Sequence, residues 1–354
     1  MEKYIGLDVH ARSTTCAVLG PTGRKLRVAI AETKAGALVE LVTSIGGELH
    51  ICFEEGCQSE WLYELLQAHA KEVVCVQPLR KQGAKNDERD AMQLAEHLRL
   101  GTLERVVYKE KGSVGALRQA VRAHRLITQD VSRVKNRLRS VYRSRGVFCP
   151  NEAIYSPRKR DFWLAQLPPM SREIAELLNQ ELDALDGLRQ HASERMLEEA
   201  GHHAMVDRLA TIPGIGKIRA AYIVATVVTP HRFRSKRQFW SYCGFAVVTQ
   251  SSADWIRQRG GWVRARTART RGLNINRNPV MKDVFKGAAL TIMQMDDEHP
   301  VKQDYLQMLH RGMRPNMARL TLARKIAATA LAVWKNEEVY DPAKRYCPPK
   351  NTAA

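Results

Sequence analysis

Between residues 117 and 145 the run "LRQAVRAHRLITQDVSRVKNRLRSVYRSR" sets Ile127, Val131, Val134, Leu138 and Val141 at alternating steps of four and three. A seam of that period lies along one face of a long helix and cannot be buried by the helix that carries it. The chain must supply a second stripe of similar length. One stands downstream in "SREIAELLNQELDALDGLRQHASERMLEEA" (171–200), through Ile174, Leu178, Leu185, Leu188 and Ala192. The first helix has nine Arg or Lys between 118 and 145 and one acid, Asp130, whereas the second has eight acids and three bases. A basic and an acidic helix joined by a Pro-containing loop (146–170) predict antiparallel pairing or self-association. This coiled-coil connector, 111–203, separates an N-terminal domain (1–110) from a C-terminal one (204–345) and a short tail (346–354).

Ahead of the connector the pattern is different. "KYIGLDV" (3–9), "TTCAVLG" (14–20) and the run 25–30 read as three strands, with Gly20-Pro21-Thr22-Gly23 as a hairpin turn. A helix (34–45), a strand (48–54), a helix (59–70), a strand (72–77) and a further helix in "AKNDERDAMQLAEHLRL" (84–100) follow. A three-strand meander followed by alternating helix and strand predicts an α/β layer of the RNase H-like kind rather than a doubly wound parallel sheet. The C-terminal domain reads as mainly α.

Charge narrows the partners. Lys and Arg number 56 against 37 Asp and Glu, a formal net charge of +19, and such an excess on a folded chain points to a polyanion. No stretch reaches the roughly 18 apolar residues a spanning helix needs, so nucleic acid is expected and a membrane is not. The chain opens on a strand-like run, so no signal peptide is expected. Seven cysteines without a C-x-x-C pair predict reduced thiols in the cytoplasm rather than a zinc site.

Against this basic background, carboxylates gather in a few places. Asp87, Glu88 and Asp90 open the helix of 84–100. Capping by Asn86 or Asp87 and the helix dipole would account for one of them. Asp8 lies in a strand of small and apolar neighbours, where an aspartate is costly to bury unless paired or metal-bound. Glu54 ends another apolar strand, and Asp87 and Asp90, three apart, share a helix face. Two-metal phosphoryl transfer requires several carboxylates from separate elements, and hard cations such as Mg²⁺ prefer oxygen. Asp8, Glu54, Asp87 and Asp90 are the candidate tetrad, with Glu55 and Glu88 as outer neighbours.

Two further segments point to nucleic acid. Ile212-Pro213-Gly214-Ile215-Gly216, followed by Lys217, lies between apolar helical runs and resembles a helix-hairpin-helix turn, in which Gly214 and Gly216 let backbone N–H groups approach a phosphate. Downstream, Arg257, Arg259, Arg264, Arg266, Arg269 and Arg271 fall within fifteen positions, framed by Trp255 and Trp262. Guanidinium groups offer paired phosphate contacts and indoles offer stacking planes.

Taken in order, "YIGLDVH", "CFEEG", "NDERDAMQLAEHL", "IPGIGKIRAA" and "FWSYCGFAVVTQSSADW" resemble the DEDD-type insertion-sequence transposases, over nearly the whole chain. The resemblance implies a RuvC-like N-terminal domain, a coiled-coil connector and a C-terminal transposase domain. It implies site-specific DNA recombination with Mg²⁺, or Mn²⁺ in its place, held by Asp8, Glu54, Asp87 and Asp90. It also implies a serine nucleophile that links covalently to DNA, which falls on Ser252 with Ser251 as the alternative. The partners it implies are donor and target DNA, a structured guide (bridge) RNA and further copies of the chain, as a dimer or tetramer on the bacterial nucleoid. A junction-resolving nuclease using the same acids, or a packaging protein in which they are structural, are the competing readings.

Overall fold

The computed structural model describes residues 1–78, 86–103, 106–107, 114–150, 152–249, 255–258, 260–264 and 270–344. The chain forms two compact units, Met1–Gly112 and Ser113–Ala354. No helix among the described residues is long and apolar enough to cross a membrane.

The first unit is built on β1 (Glu2–Val9), β2 (Ser13–Leu19), β3 (Lys25–Glu32), α1 (Ala35–Ile45), β4 (Glu48–Glu54), α2 (Ser59–Leu66), β5 (Glu72–Val76), α3 (Asp87–Arg99) and the short β6 (Val106–Val107). The sheet order is β3-β2-β1-β4-β5-β6. β1, β2 and β3 are antiparallel neighbours, while β4 runs parallel to both β1 and β5. This mixed sheet with helices on its faces is the RNase H-like layer expected from the meander.

β1 is the central strand, and Ile5, Gly6, Leu7 and Asp8 are all buried. Its alternation sorts the two faces. Ile5 and Leu7, with Ile51 and Phe53 of β4, pack against Leu38 and Val42 of α1 and Leu62 and Leu66 of α2. On the opposite face, Cys52 and Val76 meet Leu94 and Leu98 of α3. Gly6 faces α3 too, because a Cβ there would stand 1.9 Å from the Ala91 carbonyl oxygen. Burial pushes the Cys16 and Cys52 thiols up to about 12.

The second unit comprises α4 (Val114–Arg143), α5 (Arg160–Leu164), α6 (Pro169–Ala200), α7 (Ala204–Ala210), α8 (Lys217–Val227), α9 (Lys236–Tyr242), β7 (Val247–Thr249), β8 (Trp255–Gln258), β9 (Gly261–Arg264), β10 (Thr270–Leu273), α10 (Pro279–Met293), α11 (Pro300–His310) and α12 (Pro315–Lys335). The long helices α4 and α6 pack antiparallel. Leu117 and Val121 share a core with Met196 and Ala200, Val131 and Val134 meet Leu182, and Leu138 and Tyr142 meet Ala175. Arg137 pairs with Glu181 at 3.3 Å across them. The outer ends of this pair belong to the same hydrophobic core as α8, α10 and α12.

One expectation, the apolar stripe of the second long helix, is corrected in part. On α6 the buried positions are Ser171, Ala175, Asn179, Leu182, Met196 and Ala200, whereas Ile174 is 44% and Leu188 54% exposed. Ser171, Ala175 and Asn179 take inward positions beside Leu182. Leu178 and Leu185 pack half-buried against the same clusters, and Ile174 and Leu188 face outward. The arginine-rich segment holds β-structure within this mainly helical unit. β7 pairs antiparallel with β10, and β8 with β9. Alternation in Trp255-Ile256-Arg257 and Trp262-Val263-Arg264 around Gly260-Gly261 carries that signal.

Candidate metal centre and nucleic-acid surfaces

Asp8 is 6% exposed and lies near the C-terminal end of β1. β1 and β4 pair in parallel with Leu7 opposite Phe53, so the next pair in register is Asp8 and Glu54. Both fall on the sheet face that carries Gly6 and Cys52, the face covered by α3. The close approach at Gly6 sets the height of that helix. Asp87 is one turn before Ala91, and Asp90 one turn before Leu94, so the two acids continue the buried stripe past the sheet's edge. Asp87 and Asp90 are both half-buried, as is Glu54.

The cap of α3 uses none of these acids. The Asn86 side chain accepts the Arg89 N–H at 3.1 Å, and Glu88 is ion-paired with Lys25. Asp87 faces inward instead. Its carboxylate, that of Asp8 and the His10 imidazole bring ligand atoms within 4.8 Å of one another. His10 Nε2 is 3.4 Å from Asp8 Oδ2 and 3.3 Å from Asp87 Oδ1. Two carboxylates and an imidazole form a donor set suited to a divalent cation, so these residues fit the metal that the sequence pattern calls for.

His10 is a member of this cluster that sequence reasoning missed. The signal was the D-x-H spacing of Asp8-Val9-His10, which returns both side chains to one face of an extended strand. At the opposite end of the sheet Glu2, Glu48 and His50 also converge. There Lys71 Nζ stands 2.7 Å from Glu48 and 3.9 Å from Glu2, so that cluster already carries its own cation.

In the second unit the α7–α8 turn divides its glycines. Gly214 has φ +78° and is buried, and a Cβ there would stand 2.6 Å from the Ala288 carbonyl oxygen of α10. Arg219 fastens the turn, donating to Gly214 O at 2.8 Å and Thr291 Oγ1 at 3.0 Å. Gly216, the N-cap of α8, and Lys217 are exposed, with Lys217 Nζ 3.2 Å from Asp207.

The β8–β9 hairpin presents a mixed face. Arg257 is directly opposite Trp262, and Trp255 shares their side because it is two residues from Arg257. Trp255 is 58% and Trp262 67% exposed, and Arg257 is exposed beside them. Arg264 stands opposite Trp255 in register, and Arg271 lies on β10. Ser251, Ser252, Arg259, Arg266 and Arg269 lie outside the described residues.

Comparison with known proteins gives matches in both units. Residues 5–144 match a model of IS110-type DEDD transposases, and residues 206–276 match a model described as the Transposase IS116/IS110/IS902 family. The chain is 26% identical over 273 residues to a Sinorhizobium fredii protein named as a transposase, y4pF/y4sB, covering 75% of this chain and 66% of that protein. It is 25% identical over 178 residues to a Pseudomonas aeruginosa protein named as a family 20 transposase, covering 50% of this chain and 49% of that protein. The matches span just under two thirds and about half of the lengths of these relatives.

Proposed function

Because the chain belongs to the IS110-type DEDD transposase family, we propose that it is a DNA recombinase that moves an insertion sequence, using the Asp8 centre together with a serine of its second unit. The observation that carries this reading is the convergence of Asp8 and Asp87 from different elements within ligand distance of each other. Glu54 and Asp90 complete the tetrad from the neighbouring strand end and the next helix position. A divalent ion bound there, Mg²⁺ or Mn²⁺, supplies charge to a scissile phosphodiester. The protein's part is to hold those carboxylates at the rim of a rigid sheet and to bring DNA to them.

The nucleophile is Ser252, with Ser251 as the alternative. Its Oγ forms a bond to phosphorus as one P–O bond of the strand breaks. The serine gives up its proton, and the departing strand oxygen takes one up. The phosphoserine link conserves the bond for rejoining, which hydrolysis by a junction nuclease would not do.

Nucleic acid is held by Lys217 and the α8 N-terminus, acting as a helix-hairpin-helix turn, and by Arg257, Arg259, Arg264, Arg266, Arg269 and Arg271. A structured guide RNA transcribed from the element selects donor and target by pairing. The α4–α6 connector joins copies of the chain into a dimer or tetramer as a coiled coil, a role supported by Met170, Ile174, Leu177 and Leu188, which turn apolar side chains outward. The whole acts on the cytoplasmic nucleoid.

The test is strand exchange between donor and target plasmids with the RNA that copurifies with the protein. Asp8→Ala and Ser252→Ala should each abolish exchange, and wild type should leave a protein–DNA adduct that survives denaturation. Free hydrolysed ends without an adduct would establish the nuclease in its place, and processing unchanged by chelation would remove the metal centre.

A further inference from the structure

The geometry points to His10 as a nitrogen ligand of the divalent ion in the Asp8 centre, which tilts that site from Mg²⁺ toward Mn²⁺. This inference rests on the metal-site reading given above and adds to it a residue outside the four carboxylates.

The imidazole is placed by the fold. His10 follows the last residue of β1, and its N–H donates to the Ser13 carbonyl at 3.0 Å. Thr33 Oγ1 donates to the His10 carbonyl at 2.8 Å, and the Thr33 N–H donates to Arg12 O at 3.0 Å. Thr33 Oγ1 also lies 2.9 Å from Oγ1 of the fully buried Thr14. The β1–β2 turn is therefore stapled to the end of β3, and a ring held on a fixed backbone loses little freedom on binding an ion.

The separations suit shared ligation better than an ion pair. A charge-assisted hydrogen bond between imidazolium and carboxylate closes to about 2.7–2.9 Å. His10 Nε2 stays at 3.4 Å from one carboxylate and 3.3 Å from the other, nearly equidistant. Two ligands at right angles on a shell of about 2.1–2.3 Å stand about 3.0–3.3 Å apart, near the spacing found here. The donor chemistry agrees. Carboxylate oxygen serves Mg²⁺ and Mn²⁺ alike, whereas imidazole nitrogen suits transition ions.

The experiment is pulsed electron paramagnetic resonance on nucleic-acid-free full-length protein loaded with Mn²⁺, with Mn²⁺ and Mg²⁺ affinities measured by calorimetry. Wild type should show ¹⁴N modulation from a coordinated imidazole, and His10→Asn should lose it. Mn²⁺ affinity should fall at least about tenfold in that variant, the scale of loss when even an outer partner of a ligand is removed, and Mg²⁺ affinity should fall less. Asp8→Asn should abolish Mn²⁺ binding and so assign the ion to this centre. Bound Mn²⁺ without nitrogen modulation in wild type, or modulation that persists in His10→Asn, overturns the role of His10 and leaves the carboxylate site standing. Wild type that binds Mn²⁺ no better than Asp8→Asn overturns the metal site itself. The wild-type spectrum decides the ligand question even where a variant folds poorly.

Discussion

Gly6 of β1 and Ala91 of α3 approach so closely that a single methyl group at Gly6 would stand 1.9 Å from the Ala91 carbonyl oxygen and 2.7 Å from the Ala95 nitrogen. Both are backbone atoms, so no side-chain rotation relieves the clash, and the helix must lift. Gly6→Ala should therefore destabilise the chain by about 1–3 kcal/mol, the usual cost of overpacking, or more. It should also weaken Mn²⁺ binding, because Asp87 lies one turn from Ala91 and rides on the same helix. Chemical denaturation and calorimetry on the same preparation check both effects. A variant with unchanged stability and unchanged ion affinity would mean that the close contact does not position the acid.

The start of α3 separates stability from function. Asn86 makes the cap hydrogen bond, so Asn86→Ala should cost about 1 kcal/mol. Asp87→Asn leaves that cap intact and removes one charge from a cluster of two carboxylates. Lost contact with His10 is offset by relief of repulsion with Asp8, so its effect on metal-free stability should stay within about 0.5 kcal/mol, the scale of a half-exposed ion pair, while Mn²⁺ binding and strand exchange are lost. Thermal melts with and without Mn²⁺ distinguish the two variants. If Asp87→Asn destabilised the metal-free chain as much as Asn86→Ala, the acid would be acting as a structural residue.

Five of the six strands were legible in the sequence because each is bounded by a turn or a helix and carries a largely apolar run, whereas the two-residue β6 is too short to show a pattern. β1, β2 and β4 fall within a residue or so of their expected bounds. The meeting of Asp8 with Asp87 was legible for a related reason: a charge inside such a run, as at Asp8, has few structural explanations. His10 was not, since one histidine after a strand gains meaning only when α3 delivers Asp87 to it across the sheet. The stripe on α6 holds at Leu178 and Leu185, which pack against the helix-pair core, and was misjudged at Ile174 and Leu188, where size was taken for burial. Ala175 and Asn179 pack inward, and hydropathy gives them little weight beside Ile174 or Leu188. In the hairpin, charge obscured an alternation that Trp255, Arg257 and Trp262 make plain once paired.

That hairpin yields its own expectation. Trp255 and Trp262 expose flat rings on the side where Arg257 lies, an arrangement suited to unpaired bases with phosphates alongside. Each of Trp255→Ala and Trp262→Ala should cost about 1–3 kcal/mol in binding of single-stranded nucleic acid, the usual worth of one stacked base. Arg257→Ala should instead reduce the salt dependence of binding by about one phosphate contact. Fluorescence titrations with short single strands at several salt concentrations measure both. Tryptophan variants that bind as tightly as wild type would rule out stacking at this face.

A last expectation concerns pH and lies in the second unit. His124 is buried on α4, with Nδ1 2.9 Å from the Tyr222 hydroxyl of α8. Burial, with Arg189 as a lesser cause, holds its protonation below the ordinary value of 6.5, and burial pushes the Tyr222 hydroxyl up to about 12. The ring also borders a crevice that presents Asp186, Arg189 and Glu194, and Arg125 acts on Tyr222 nearby. As pH falls through 6.5 the unfolded chain takes up a proton at this histidine while the folded chain does not. Stability should therefore decline from about pH 6.5 downward, until the folded state is protonated as well. His124→Gln keeps a polar partner for Tyr222 and cannot titrate, so its melting temperature should fall less between pH 7 and pH 5.5 than that of wild type. Every other titrating group is common to the two proteins and drops out of the difference. Parallel pH profiles for the pair would show that the buried imidazole contributes nothing to acid sensitivity.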